Sequence, residues 1–199
     1  MSADDTPDEL AQEAARLVVD EGLEYGPAKA KAARSLGLRR ARWPNNESVE
    51  DAVREHLALF CGETQPQELA ALREVALQWM QRLAAFHPHL AGAVWRGTAT
   101  RLSAVLIDLY CDDPKMAPIE LLNLGIAVDF DAAPDGSDEP VPVLSVSSRS
   151  AALGETVPVH LFVRDRDDLR GALKPDARGH SWRGDREALL RRMAQELPT

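Results

Sequence analysis

The chain has 199 residues, of which 45% are hydrophobic and 28% charged, and its formal net charge is −9. These proportions fit one folded domain or a domain with a helical extension, and they exclude wholesale disorder. The two cysteines lie outside any CxxC pair, the first residues are acidic, and no apolar run reaches the ~18 residues of a membrane span. We therefore expect a reduced, cytoplasmic protein that is not held in a membrane.

The negative charge argues against indiscriminate binding to nucleic acid, because the summed field repels a polyanion unless basic residues gather on one face. Two stretches are nevertheless basic. The first holds Lys29, Lys31, Arg34, Arg39, Arg40 and Arg42, and the second holds Arg164, Arg166, Arg170, Lys174, Arg178, Arg183 and Arg186. For each stretch taken alone, a solvated surface is the favoured interpretation and a phosphate site is the alternative.

Apolar residues at helical spacing predict four helices before residue 90. They run over residues 8–21, 27–36, 48–61 and 66–86, with Asn46 and Ser48 as caps of the third and with helix ends at Gly22, Gly37 and Gly62. The fourth helix carries one wide apolar stripe that we expect to be buried against the sheet, formed by Leu72, Val75, Trp79 and Leu83. The chain is accordingly divided into a helical N-terminal region, residues 1–62, and a second domain, residues 63–199.

The second of these helices has a competing interpretation. Its small residues, its Lys and Arg side chains and its Leu-Gly-Leu ending resemble half of a helix-turn-helix unit, which would contact nucleic acid through its basic residues. A helical hairpin that packs on the main domain is favoured, because the flank from Asp4 to Glu24 is acidic.

After Pro88 the pattern changes to short apolar runs that predict strands over residues 89–95, 104–111, 126–132, 141–148 and 157–165. A helix over residues 117–125 joins the second and third runs, so we expect a strand, helix, strand crossover with a parallel neighbour. A final helix is predicted over residues 183–196. The fold class is therefore α/β or α+β, with a mixed sheet of about five strands preceded by helices.

Residues 92–113, GAVWRGTATRLSAVLIDLYCDD, carry a resemblance to a known family. Gly92 and Ala93 are followed by Arg96-Gly97 and then by Ser103. With the long helix before and the strands around it, this order resembles the DNA polymerase beta-like nucleotidyltransferases, especially the minimal bacterial type, whose turn reads Gly-Ser, Arg-Gly, Ser-Asp-x-Asp. The resemblance covers about half the chain, roughly residues 65–165. It implies that the turn binds a nucleotide through Gly92, Arg96, Gly97, Thr98 and Ser103.

The acids that this family needs are incomplete. Nucleotidyl transfer uses carboxylates at i and i+2 of one strand, which share a face and hold Mg²⁺ against the phosphates. Ala104 and Leu106 stand at those places, and a second register that begins with Asp108 has Tyr110 as its partner. Asp112 is only an imperfect helper in that register.

Asp129 stands where the resemblance puts the third acid, on the strand after the crossover helix. An aspartate that ends a strand before a polar loop is an equally good interpretation. On the resemblance, Asp108 and Asp129 are the catalytic and Mg²⁺-binding residues. We expect them on adjacent strands, with Gly92 to Gly97 at one end of the sheet.

The leading hypothesis is a nucleotidyltransferase-like protein that binds a nucleotide or phosphate ligand and is catalytically weak or inactive. The alternative is a regulatory module whose helical N-terminal region binds nucleic acid or a protein. A loop-rich stretch with Arg170, Lys174, Arg178, His180 and Arg183 could grip a triphosphate, although nearby acids favour a solvated loop. For Trp95, packing is favoured over stacking on a base.

Overall fold

The structure is a computed structural model that describes residues 6–38, 43–133, 141–176 and 178–196. In these ranges the helices are α1 (Thr6–Glu21), α2 (Tyr25–Ser35), α3 (Asn46–Phe60), α4 (Gln65–Arg82), α5 (Gly92–Arg96), α6 (Met116–Asn123), α7 (Leu169–Ala172) and α8 (Arg186–Glu196). The strands are β1 (His89–Ala91), β2 (Val105–Cys111), β3 (Asp129–Ala133), β4 (Val141–Ser150), β5 (Glu155–Asp165) and β6 (Arg183–Gly184). The predicted mixed α+β fold with a helical N-terminal region is confirmed.

The chain divides into two compact units. The first comprises Met1–Leu69 and Gly97–Ser103, and the second comprises Ala70–Arg96 and Ala104–Thr199. In the first unit α1 packs against both α2 and α3, and its apolar side chains, such as Leu10 and Leu17, are almost completely buried. Across the described ranges, every helix is either too short or too polar to serve as a membrane span.

Two sequence signals at helix ends have different outcomes. Gly22 ends α1 as predicted, with φ of 67°, and a Cβ there would lie 2.2 Å from the backbone oxygen of Leu102. A glycine is therefore needed both for the left-handed backbone and for the close approach. The cap of α3 was predicted wrongly: it is Asn45, whose Oδ1 accepts a hydrogen bond of 2.7 Å from the backbone N–H of Ser48.

Within the described residues, the second unit contains a six-stranded sheet in the order β3-β4-β5-β2-β1-β6. The β2–β5 pair is parallel, and the other neighbouring pairs of these six strands are antiparallel. The prediction that β2 and β3 belong to one crossover beside each other is wrong. The chain instead turns back after β3 and forms a long antiparallel hairpin from β4 and β5, of 10 and 11 residues. β5 alternates buried apolar residues with more exposed ones, and this strand takes the place beside β2.

Two further strand predictions need correction. The first predicted strand ends at Ala91, because Gly92 adopts φ of 68° and the chain then turns into α5. Arg183 and Gly184 were predicted to begin the last helix, but they form β6 beside β1, and α8 begins only at Arg186. With β6, the sheet has six strands in the described residues, which agrees with the prediction of about five.

The side chains of the apolar stripe of α4 are buried, and their packing against the sheet stays a prediction. Leu72, Val75, Trp79 and Leu83 each expose 3% or less of their surface. A tryptophan buried to this extent contributes both its hydrophobic area and its dense packing to the stability of the fold.

We therefore expect Trp79→Ala to lower the free energy of unfolding by about 3–5 kcal/mol, because it leaves a large cavity. The matched control is Trp43→Ala, because Trp43 is 52% exposed. Chemical denaturation measures both variants. Equal stability losses in the two would contradict the burial of Trp79.

Candidate functional site

One face of the sheet carries polar side chains, whereas the other is apolar. Alternate residues of a strand point to opposite faces. On β2 and β5 one face is formed by fully buried residues: Val105, Ile107, Leu109, Val159, Leu161 and Val163. The other face, which we call the polar face, carries Leu106, Asp108, Tyr110, His160, Phe162 and Arg164. It is the candidate ligand-binding surface of the second unit.

The strand register extends the polar face across the sheet, since directly paired residues point the same way. One row crosses all six strands through Arg183, Ala91, Leu106, His160, Ser145 and Asp129. The next row runs through His89, Asp108, Phe162, Val143 and Asp131. Asp108 and Asp129 therefore share a face.

The most strongly connected group on this face is the carboxylate of Asp108, which is 3% exposed. Its Oδ1 accepts a hydrogen bond of 2.6 Å from Nε of Arg164, and its Oδ2 accepts one of 2.6 Å from Nη1 of Arg183. The same Nη1 donates to the hydroxyl of Tyr110 at 3.0 Å. One buried carboxylate thus holds two guanidinium groups, and we call these three charged residues the Asp108 cluster.

Tyr110 packs beside this cluster. Its side chain is completely buried, and its ring meets the ring of His89 edge-on at 5.4 Å between centroids. Burial raises the pKa of the Tyr110 hydroxyl, the charge of Asp108 adds to this effect, and Arg183 acts against it. The hydroxyl is therefore neutral at physiological pH and accepts from Arg183 without adding a charge.

A second polar group lies farther along the same face. Oγ of Ser145 and Nδ1 of His160 are joined by a hydrogen bond of 2.8 Å between neighbouring strands. Burial lowers the pKa of His160, while the charge of Asp131 partly opposes that shift. His160 is therefore mainly neutral at pH 7, which leaves the Asp108 cluster as the main charged group at the centre of this face.

The prediction that Asp108 and Asp129 lie on adjacent strands is wrong. β5 and β4 separate the two strands, so the backbones are three strand spacings apart, about 14 Å at about 4.8 Å each. Asp129 is exposed. These two residues do not come together around one ion.

The residues present do not fit the Mg²⁺ ion that the resemblance implies. Mg²⁺ needs oxygen ligands at about 2.0–2.1 Å in a near-octahedral arrangement. Both oxygens of Asp108 already accept from arginines, and Asp112 is exposed and paired with Arg166. In the described ranges no three His, Cys, Asp or Glu side chains gather as a metal site would require.

The predicted nucleotide-binding turn is divided between the two units. Gly92 and Arg96 begin and end α5 in the second unit, and the guanidinium of Arg96 lies 5.6 Å from the ring centroid of Trp182. The carbonyls of Val94 and Trp95 accept hydrogen bonds from Arg73 and Arg192. Side chains of the protein itself therefore satisfy the carbonyl end of this short helix.

The remaining three predicted residues lie in the first unit. Gly97 accepts a hydrogen bond from Gln65 through its carbonyl oxygen, and Thr98 and Ser103 are almost fully buried. Oγ of Ser103 accepts from the backbone N–H of Thr100 at 3.1 Å, so this hydroxyl stabilises a turn. The roles of Gly92, Arg96, Gly97, Thr98 and Ser103 in binding a nucleotide stay predictions.

Trp95 has the packing role that was favoured for it. It is 4% exposed, and its Nε1 donates to the carbonyl of Ser181 at 2.7 Å. A Cβ at Gly184 would lie 2.1 Å from its ring, and the guanidinium of Arg192 lies 4.3 Å from its centroid. The ring is enclosed by protein atoms and offers no face to a base.

The two basic stretches also have different outcomes. In the first, Lys29 donates to Asn46 and Pro44, and Lys31 pairs with Glu21, while Arg39, Arg40 and Arg42 lie outside the described residues. In the second, Arg164 and Arg183 converge on Asp108, whereas Arg170, Lys174, Arg178 and His180 are exposed.

Arg164 and Arg183 both belong to the second basic stretch, but the sequence did not predict their contact with Asp108. The period-2 spacing of His160, Phe162 and Arg164 was sufficient to place those three on one face. The position of Arg183 depends on β6, a two-residue strand that no periodic pattern reveals.

Comparisons with known proteins find a similarity to one solved structure and no match in sequence. No family model and no curated protein matches the sequence. A solved structure of Cid1 in complex with the UTP analogue UMPNPP is similar over 59% of this chain and 39% of the Cid1 chain, with 15% identity and a TM-score of 0.38. The similar part thus spans well under half of Cid1, and the proposals below rest on this chain's own residues.

Replacing Asp108 with asparagine leaves two guanidinium groups without their shared counter-charge. We expect Asp108→Asn to destabilise the fold by about 3–5 kcal/mol, as does the loss of one partner from a buried ion pair. The matched control is Asp112→Asn, whose side chain is 78% exposed and pairs with Arg166 at 3.1 Å. Thermal and denaturant melts compare the two, and a small loss in Asp108→Asn would contradict a buried cluster.

The pKa of His160 offers a second test. Because burial favours the neutral ring, its NMR titration should have a midpoint below that of the same residue in the denatured chain. The stability that this residue contributes is then complete above about pH 6.5 and decreases as the pH falls toward the folded pKa. Asp131→Asn should lower the midpoint further, because the charge of Asp131 favours the protonated ring. A midpoint above the denatured value would contradict the burial of His160.

Proposed function

We propose that this protein binds a nucleotide or another phosphate ligand on the polar face, as a nucleotidyltransferase-like protein that transfers nucleotides weakly or not at all. The observation that carries this proposal is the Asp108 cluster. Its two guanidinium groups share one carboxylate, and their side chains are 17% and 23% exposed while that of Asp108 is 4% exposed. The two guanidinium groups are therefore more accessible to a ligand than the carboxylate that holds them.

The chemistry of these groups favours a phosphate. Guanidinium donors lie in a plane and bind the oxygens of a phosphoryl group in pairs. Asp108 fixes the arginines before the ligand arrives, so little side-chain freedom is lost when it binds.

Phe162 favours a nucleotide over bare phosphate. It stands directly opposite Asp108 across the β2–β5 pair, and its ring is half-buried on the polar face. A partly exposed aromatic ring can stack on a base, an interaction worth about 1–3 kcal/mol. His160 follows at the next position of the same face, where it can donate to or accept from a polar group of the ligand.

Weak transfer follows from what stands beside Asp108. The residue two positions before it on the same face is Leu106, which is paired with His160 across the strands. A carboxylate pair at i and i+2, which would position a metal ion and the reacting phosphate, is therefore missing. A phosphate that arginines hold without this pair lacks the metal ion that would activate an acceptor.

The alternative function is a regulatory module that binds nucleic acid or a protein through its helical region. The three-residue connection between α1 and α2, which contains Gly22, is the observation that favours it, since helix-turn-helix units use such a turn. The intramolecular contacts of Lys29 and Lys31 speak against it.

The test incubates the full chain with labelled ATP, CTP, GTP or UTP. We expect saturable binding by equilibrium dialysis and little or no labelling of the protein or of a small acceptor with Mg²⁺ or Mn²⁺. Phe162→Leu should weaken the binding of nucleotides but leave that of pyrophosphate unchanged, because only the base meets the ring.

Three outcomes would overturn parts of this proposal. Strong labelling that disappears in Asp108→Ala would show an active enzyme. The absence of any nucleotide or pyrophosphate binding would contradict the proposed class of ligand. Salt-sensitive binding to DNA without nucleotide binding would favour the regulatory module.

A further inference from the structure

We infer that the Asp108 cluster is an anion site that takes the phosphoryl group of its ligand without a divalent cation. The two guanidinium groups occupy both oxygens of the carboxylate that the resemblance assigns to Mg²⁺. This inference deepens the proposed function and rests on it, because it concerns the same surface and the same class of ligand.

The first step is the charge of the cluster. Arg164 and Arg183 together carry two positive charges, and Asp108 between them carries one negative charge. A divalent cation brought to Asp108 would meet both guanidinium groups at close range, and like charges at such distances repel strongly in a partly buried site. A phosphoryl oxygen brought to the same place is attracted by both.

The second step concerns the hydrogen-bond donors of the two arginines, one of which has no acceptor in the described ranges. Arg164 contacts Asp108 through Nε, and Arg183 contacts it through Nη1. Nε of Arg183 is buried and has no hydrogen-bond partner among the residues that the structure describes. An unsatisfied buried donor is costly, and a bound anion or water is the usual explanation for one.

The third step is the rigidity of Arg183. It lies on the short strand β6, and its Nη1 donates to both Asp108 and Tyr110. Next to it, Gly184 packs against the ring of Trp95. The guanidinium is thus oriented before the ligand binds, as a coordinated metal ion would be.

The experiment titrates the full chain with ATP and with sodium pyrophosphate in a calorimeter, once in EDTA and once in excess Mg²⁺. We expect both probes to bind in EDTA at least as tightly as in Mg²⁺, because Mg²⁺ cancels phosphate charge that the arginines attract. ATP should bind more tightly than pyrophosphate, because its base stacks on Phe162.

Variants then locate the site. Arg183→Gln should weaken binding in EDTA by at least about tenfold, the loss of one charge-assisted hydrogen bond. Arg166→Gln is the matched control: its arginine lies two residues from Arg164, is 53% exposed and pairs with the exposed Asp112, so binding should not change. If melting shows that Arg183→Gln does not fold, Arg183→Lys takes its place, since it keeps the charge and loses the planar pair of donors.

The outcomes separate this inference from the function it rests on. Binding that is more than about tenfold weaker in EDTA than in Mg²⁺ would overturn metal independence while leaving a nucleotide-binding protein. Binding in EDTA that Arg183→Gln or Arg183→Lys does not weaken would overturn the site. The absence of binding in both buffers would overturn the proposed function itself.

Discussion

The carboxylate of Asp108 joins three strands of the sheet that the chain order keeps far apart. It lies on β2, and its guanidinium partners come from β5, its parallel neighbour, and from β6, which lies beyond β1. β6 has two residues and pairs only with β1 in the described part of the chain, so its backbone contacts alone hold it weakly. The ion pair of Arg183 with Asp108 and the packing of Gly184 on Trp95 add stabilising contacts to this short strand.

The same interaction determines what the polar face can do. A carboxylate that is open to solvent can collect a metal ion, whereas one whose two oxygens accept from arginines becomes a positioning group for those arginines. Arginine and Mg²⁺ can both neutralise phosphate charge, but only the metal also lowers the pKa of a bound water or holds an acceptor in line. A surface built on arginine is thus suited to holding a ligand and poorly suited to transforming it.

Much of the fold could be predicted from the sequence, because its long elements have strong periodic patterns. The buried stripe of α4 and the alternation of burial along β5 are examples, since burial follows directly from period 3.6 or period 2. The neighbours in the sheet could not be predicted in the same way. The alternation of a strand shows which of its residues share a face, but whether β3 or β5 lies beside β2 depends on the competing pairings of the whole sheet.

The candidate site shows the same limit. Asp108 and the arginines were recognised as chemically notable, and the register of β2 with β5 explains why Arg164 reaches the aspartate. Arg183 could not be assigned, because its place depends on a two-residue strand stabilised by contacts distant in sequence, among them the ring of Trp95. Asp129 was assigned to the site from chain order alone, and chain order does not give the distance between strands.

The position of β3 places Asp129 and Asp131 on an edge strand of the sheet. β3 is the edge of the sheet, and in the described residues its outer backbone groups pair with no further strand. Such an edge is a template on which the strand of another molecule can assemble, and charged side chains along it oppose that assembly by keeping it hydrated. Both aspartates are exposed, with Phe130 exposed between them. Charged residues on both sides of an exposed aromatic ring are the kind of feature that opposes aggregation through such an edge.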